Sequence, residues 1–265
     1  MGADHSVEGG PEELMSLLRV QDLGMTFGGL RANWDISFEV AEGEMLGLIG
    51  PNGAGKSTLF NCISGYYAPT AGKIYFRDKD VTGFKPFEMA RLGLARTFQV
   101  YVATGDLNVL EYVMVGSFLK TSSRLKAKAK AESLLENMNL TALAQERVAN
   151  LPVAAQKRVV MAAALATDPE LLLLDEVAAG LNPSEIDQMM SVIRWVHGEL
   201  KITVLLIEHV MELVMKLSHR VLVLDSGLLI AEGDPAKIVL NPEVIKAYLG
   251  ERYVTQHSGR GAELV

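Results

Sequence analysis

With 265 residues and 49% hydrophobic side chains, the chain can bury a sizeable core and is not disordered as a whole. Its formal charge of -7 excludes the basic face that DNA or RNA binding uses to displace phosphate counterions. One cysteine, Cys62, excludes an internal disulfide and, with no Cys/His cluster at ligand spacing, a zinc site; the chain suits a reducing cytoplasm, and no apolar run approaches the roughly 18 residues of a membrane span.

Residues 1–14, MGADHSVEGGPEEL, lack the positive start and apolar centre of a secretory signal and read as a flexible acidic tail. Gly2 and Ser6 match the myristoylation pattern, but no polybasic or second lipid signal accompanies them. Over 17–26 and 34–40 apolar and polar residues partly alternate, which predicts two half-buried strands with Trp34, Ile36, Phe38 and Val40 on one face. Residues 45–49 form a short apolar run of buried-strand type, followed by a glycine-rich loop and a helix from near Lys56.

From 100 to 151 good helix formers dominate, which predicts a helical insertion of about 100–160; within it Lys126 and Lys130 lie four apart on a solvated helix face. Residues 171–174 form a second buried strand, followed by a helix from Pro183 with Asn182 as its cap. A third strand is expected at 203–207, a helix from about Val210, two short strands at 220–225 and 228–231, and a capped helix from Asp234 and Pro235. Residues 251–265 read as a loose tail. Strands alternating with helices imply an α/β fold with a mostly parallel sheet, here one domain over 15–250.

The stretch GPNGAGKST, comprising Gly50, Pro51, Asn52, Gly53, Ala54, Gly55, Lys56, Ser57 and Thr58, has the G-x-x-x-x-G-K-[ST] spacing between a predicted strand and a helix. Its glycines let backbone N–H groups turn toward phosphate oxygens, and the helix N-terminus adds partial positive charge. Lys56 is placed to reach the β/γ-phosphates of a nucleotide and Ser57 to hold Mg²⁺. LLLLDE ends a buried strand with Asp175 and Glu176 at the crevice where parallel sheets bind ligands, beside the phosphate loop. Asp175 suits Mg²⁺ coordination and Glu176 suits polarising an attacking water. Cys62, on the helix after the loop, reads as a packing residue.

Together with RTFQ, AAGLNP, LLIEH and the closing NPEVIKAYLGE, these motifs resemble the nucleotide-binding subunits of ABC (ATP-binding cassette) transporters, most closely the ATPases of branched-chain amino acid importers. The resemblance runs from about Leu17 to Leu249 and implies a P-loop NTPase core with a mostly parallel sheet, an antiparallel β edge and an inserted helical subdomain. It further implies ATP and Mg²⁺ as cofactors, membrane permease subunits and a second cassette as partners, an indirectly linked solute-binding protein, and a peripheral place on the cytoplasmic face of the membrane. By the same resemblance Gln99 contacts Mg²⁺ and the attacking water, His209 bonds the γ-phosphate, Phe27 stacks on adenine, and Asn182 stands where the family contacts the opposite subunit or caps a helix.

The family signature LSGGQ is altered here: Leu151, Pro152, Val153, Ala154 and Ala155 occupy it, with QKR continuing. In the family this segment opens a helix and offers a hydroxyl and N–H groups to ATP bound on the other subunit; Pro152 has neither. A lost bond to a charged group costs about 1.5–3 kcal/mol. If Ala154 replaces a left-handed glycine, it adds about 1–2 kcal/mol. The helix start, expected at about Ala155, still attracts anions. Val177 follows Glu176 where proline is usual, and Val210 follows His209 where an acid is usual. Two related readings are a regulatory nucleotide-binding subunit with negligible hydrolysis and a lipopolysaccharide-export cassette; RTFQ opposes the latter. A soluble cassette acting on DNA or ribosomes is opposed by the acidic charge.

Overall fold

The computed structural model describes residues 16–97 and 107–249. In chain order, β1 (Ser16–Phe27), β2 (Leu30–Ala41) and β3 (Met45–Ile49) lead into α1 (Lys56–Ile63), and β4 (Ala71–Phe76), β5 (Lys79–Asp80), α2 (Pro86–Leu92) and β6 (Leu94–Arg96) follow. Beyond residue 107 come α3 (Val109–Ser117), α4 (Arg124–Asn137) and α5 (Val153–Leu165). The chain then runs through β7 (Leu171–Asp175), α6 (Pro183–Gly198), β8 (Thr203–Ile207), α7 (Met211–Leu217), β9 (Arg220–Asp225), β10 (Leu228–Gly233), α8 (Pro235–Ile238) and α9 (Pro242–Leu249).

The central sheet has the order β10-β9-β3-β8-β7-β6. Its strands pair in parallel from β9 to β6, and β10 closes one edge in antiparallel sense. β3, β7 and β8 are buried at every position, because side chains of both faces are covered. On one face Leu46, Leu48, Leu173 and Leu205 pack under α1 and the second sheet, ordered β2-β1-β4-β5. On the other, Leu172, Leu174, Val204 and Leu206 pack with residues of α3, α5, α6 and α7. The period of two along each strand thus divides one sheet between two cores.

Cys62 is buried in the first of these cores, where desolvation pushes its thiol up to about 12; it packs, as its position on α1 suggested. Asn182 caps α6 through a reciprocal capping box with Glu185. Among the described residues no helix is long and apolar enough to cross a membrane.

Two expectations are corrected. Trp34 is 41% exposed and does not share the face of Ile36, Phe38 and Val40; Asn33, 1% exposed, takes its place. The register against β1 runs Leu23–Ile36 and then Met25–Asn33, so β2 carries an extra residue there, with Asp35 at φ 54. One inserted residue reverses which side chains face inward. Lys130 is not simply solvated either, because its ammonium pairs with Asp168 at the turn after α5 and ties α4 to that turn. The strands β4, β5 and β6 and the helix α2 were not anticipated. Of these, β5 and β6 are two and three residues long and too short for a periodic signal.

Candidate functional site

β3 delivers the chain into the phosphate loop at its C-terminal end, and α1 begins at Lys56. Gly50 adopts φ 151 and a Cβ there would stand 2.1 Å from the Leu224 carbonyl oxygen; Gly55, at φ 100, would place one 2.4 Å from the Asn33 amide. Only glycine allows this approach. Lys56 folds back over the loop, its Nζ donating to the carbonyls of Gly50 at 2.7 Å and Pro51 at 3.0 Å. Burial lowers the Lys56 pKa, and the carboxylates of Glu176 and Asp175 oppose that shift. The first turn of α1 has no acidic side chain to compensate its N–H groups.

The loop is also held from outside. Asn33 Nδ2 donates to the Gly55 carbonyl at 3.2 Å, Gly227 N–H donates to Ala54 at 3.0 Å, and Trp34 N–H donates to Gly227 at 3.0 Å. The turn between β9 and β10 and the start of β2 therefore brace the loop. Above it opens a cavity of about 550 Å³ whose lining includes Phe27, Asn52, Lys56, Ser57, Glu176 and His209. Gly53, Ala54, Gly55 and Thr58 line it too, while Gly50 and Pro51 support it from behind. Phe27 is 41% exposed and meets Tyr67 edge to face, with centroids 5.3 Å apart.

Asp175 ends β7, 5% exposed. Its Oδ2 accepts from Arg96 Nη2 at 2.7 Å, and Arg96 Nη1 bonds Asn61 Oδ1 at 2.7 Å and Ser64 Oγ at 2.9 Å. Asp175 Oδ1 is buried with no partner among the described residues. An orphaned carboxylate oxygen is a ready cation ligand. Among the described residues no group of three His, Cys, Asp or Glu stands together to hold a metal. That donor set fits a hard ion held by one carboxylate, the Ser57 hydroxyl and phosphate oxygens, as Mg²⁺ prefers. β8 lies between β3 and β7, yet Glu176 lines the same cavity as the phosphate loop, as the sequence reading placed it.

Glu176 has φ 48, a conformation that L residues avoid. Its N–H donates to Ile207 at 2.9 Å, and its carbonyl accepts from Lys157 Nζ at 2.7 Å and Ala179 N–H at 3.2 Å. His209 Nε2–H donates to Glu176 Oε1 at 3.0 Å. Glu208, 1% exposed, accepts from Ala178 N–H at 2.8 Å. Burial pushes the Glu208 carboxyl up to about 6, against its backbone hydrogen bonds and the Lys157 charge.

Phe27, Lys56, Ser57, Glu176 and His209 thus meet at one cavity, and Gln99 lies outside the described residues. In the altered signature, α5 begins at Val153 with Pro152 as an N-cap that offers no side-chain bond, two residues before the expected start. Ala154 is helical and its φ is not positive, so the left-handed penalty does not arise. Val177 is buried in the core, and Val210 stands at the N-cap of α7 without a side-chain bond. Sequence reasoning assigned nothing to Arg96, Lys157 or Glu208, although each stands inside a quoted motif. Asn33 carries no local signal at all.

Residues 34–179 match the family model for ABC transporters. The chain belongs to the ABC transporter family. Residues 229–254 of the cassette also match the model described as branched-chain amino acid ATP-binding cassette transporter. The cassette is 40% identical over 250 residues to LivG of Escherichia coli, a high-affinity branched-chain amino acid transport ATP-binding protein, covering 89% of this chain and 98% of that one. BraF of Pseudomonas aeruginosa, of the same description, is likewise 40% identical, with the same coverage. Among solved structures, a nucleotide-free ATP-binding cassette from an ABC transporter superposes with a TM-score of 0.80 at 32% identity, covering 89% of this chain and 100% of that one. The ADP conformation of the cassette MJ1267 gives 0.80 at 30%, with the same coverage.

Proposed function

We propose that this cassette binds and hydrolyses ATP to power a membrane importer of branched-chain amino acids or similar small solutes. The observation that carries the reading is the convergence of Lys56, Glu176 and His209 on one cavity above a glycine loop, with an unpaired buried oxygen on Asp175 at the end of β7. In this reading Lys56 and the loop N–H groups bind the β- and γ-phosphates, and Phe27 stacks on adenine. Ser57 and Asp175, with Gln99 by its place in the motif, hold Mg²⁺, which neutralises phosphate charge when bound. Glu176 accepts a proton from water as its oxygen attacks the γ-phosphorus. The bond to the bridging oxygen breaks, the bridging electrons leave with ADP, and phosphate is released. His209 holds the γ-phosphate and the Glu176 carboxylate together.

The partners in this reading are two permease subunits, a second cassette, identical or different, and indirectly a solute-binding protein, with the cassette peripheral on the cytoplasmic face. Because Pro152 leaves the start of α5 without a capping hydroxyl, the site it completes on the partner is the weaker one. A second, different cassette makes an asymmetric pair; self-pairing puts the defect in both sites. Glu176→Gln in the assembled complex should lower ATP turnover by about a hundredfold or more, with Mg-ATP affinity within threefold of wild type. Unchanged turnover would place the competent site elsewhere. Single-turnover hydrolysis no faster than background would favour the regulatory reading.

A further inference from the structure

Lys157 is the first charged side chain on α5, four residues past Val153 where the helix starts. It reaches back across the molecule, and its Nζ donates to the Glu176 carbonyl at 2.7 Å. A solvated lysine would leave its ammonium in water, yet this one is only partly exposed and burial lowers its pKa. The carboxylates of Glu208, Glu176 and Asp175 oppose that shift, in that order. Burying an ammonium is costly unless hydrogen bonds and opposite charge compensate it, and here both are present.

The residue it holds is strained. A φ of 48 at Glu176 persists only if the surroundings over-determine it. Ile207 holds its N–H from β8, and Ala179 and Lys157 donate to its carbonyl. Of these anchors Lys157 alone comes from α5, on the far side of the altered signature. From that backbone conformation the Glu176 side chain lines the cavity and bonds His209.

We infer that Lys157 is a positioning residue: from α5 it sets the backbone of Glu176, and so aims the carboxylate that activates water. The inference rests on the functional reading above. Since α5 opens with the segment that meets the partner's nucleotide in that reading, Lys157 ties the position of one chain's signature to the aim of its own Glu176. The helix that the altered signature opens therefore keeps a task in this chain's own site even where the signature's contact with the partner's ATP is weak.

The test uses the assembled complex with Lys157→Met and Lys157→Arg in this cassette. Methionine fills the same volume without a donor, and arginine restores one. Misplacing a reacting group by about 1 Å costs on the order of a hundredfold. Lys157→Met is therefore expected to lower kcat by about tenfold to a hundredfold with Mg-ATP affinity, read by calorimetry, within threefold. Lys157→Arg should recover at least half of the rate. In a Glu176→Gln background, Lys157→Met should change residual hydrolysis by less than twofold, a non-additivity that a merely structural lysine does not produce. A kcat within twofold of wild type in Lys157→Met overturns the inference. So does a loss of nucleotide affinity equal to the loss of rate, or full additivity with Glu176→Gln. A wild-type complex that binds no Mg-ATP or hydrolyses none overturns the functional reading, and this inference with it.

Discussion

The phosphate loop and the start of α5 both present backbone N–H groups, but they are secured in opposite ways. At the loop, Lys56 bonds two carbonyls of its own turn, Asn33 and Gly227 clamp it from other strands, and at Gly50 and Gly55 a Cβ would strike the carbonyls of Leu224 and Ala32. At α5, Pro152 caps without a side-chain bond, and the N–H groups of the first turn arise simply because a helix starts there. Helix formation supplies those N–H groups whatever the side chain at Pro152, while Gln156, bonded to the Leu151 carbonyl, and Lys157, bonded to the Glu176 carbonyl, hold the segment in place. The first site is a tertiary assembly in which Gly50 and Gly55 leave no room for a side chain.

Four substitutions break or sharpen that contrast. Gly50→Ala should have the largest effect, because its Cβ would lie 2.1 Å from the Leu224 carbonyl at φ 151. A loss above about 4 kcal/mol is expected in urea unfolding, and a loss below about 1 kcal/mol would show that the loop yields as easily as α5. Lys56→Ala comes next: removing a charged donor to phosphate should weaken nucleotide binding about a hundredfold in calorimetry, and an affinity within threefold of wild type contradicts the role of the loop.

Glu208→Gln follows. Its folded-state value, about 6 against the ordinary 4.5, means that ionisation costs the fold. The cost is absent well below pH 4.5, grows between 4.5 and 6 and is complete above 6. Glutamine keeps an acceptor for Ala178 N–H without the charge, so it should stabilise by up to about 2 kcal/mol at pH 8, a figure in which the attraction to Lys157 is already set against the cost of burial. Most of that gain should vanish by pH 4.5, and a gain equal at both values contradicts the account. Pro152→Ser should act least. A hydroxyl returned to the signature should tighten ATP-dependent association about tenfold in a Glu176→Gln background, measured by analytical ultracentrifugation. The chain's own Tm should shift little, because a serine cap of about 1 kcal/mol is offset by the lost proline restriction of similar size. Unchanged association would show that backbone alone sets the strength of that site.

Much of this molecule was legible before folding was considered. β3, β8 and β9 fall where their apolar runs lie, and Asn182 and Pro183 mark the start of α6. Trp34 was misplaced because the extra residue near Asp35 leaves no trace in the alternation around it. The start of α5 was set two residues late because Pro152 is a poor cap by composition, and only the backbone around it shows the turn already closed by the Gln156 N–H.

By itself, the sequence determined what depends on neighbours along the chain: glycines that free a loop, a lysine and serine that follow it onto a helix, apolar runs that end in acids. These are short-range because steric and capping preferences act over a few residues. Tertiary structure alone decided where the buried charges go. Arg96 meets Asp175 across 79 positions and Lys157 meets the Glu176 carbonyl across 19. A buried charge is stable only beside its partner, and which distant strand or helix supplies that partner is settled when the two cores close over the sheet.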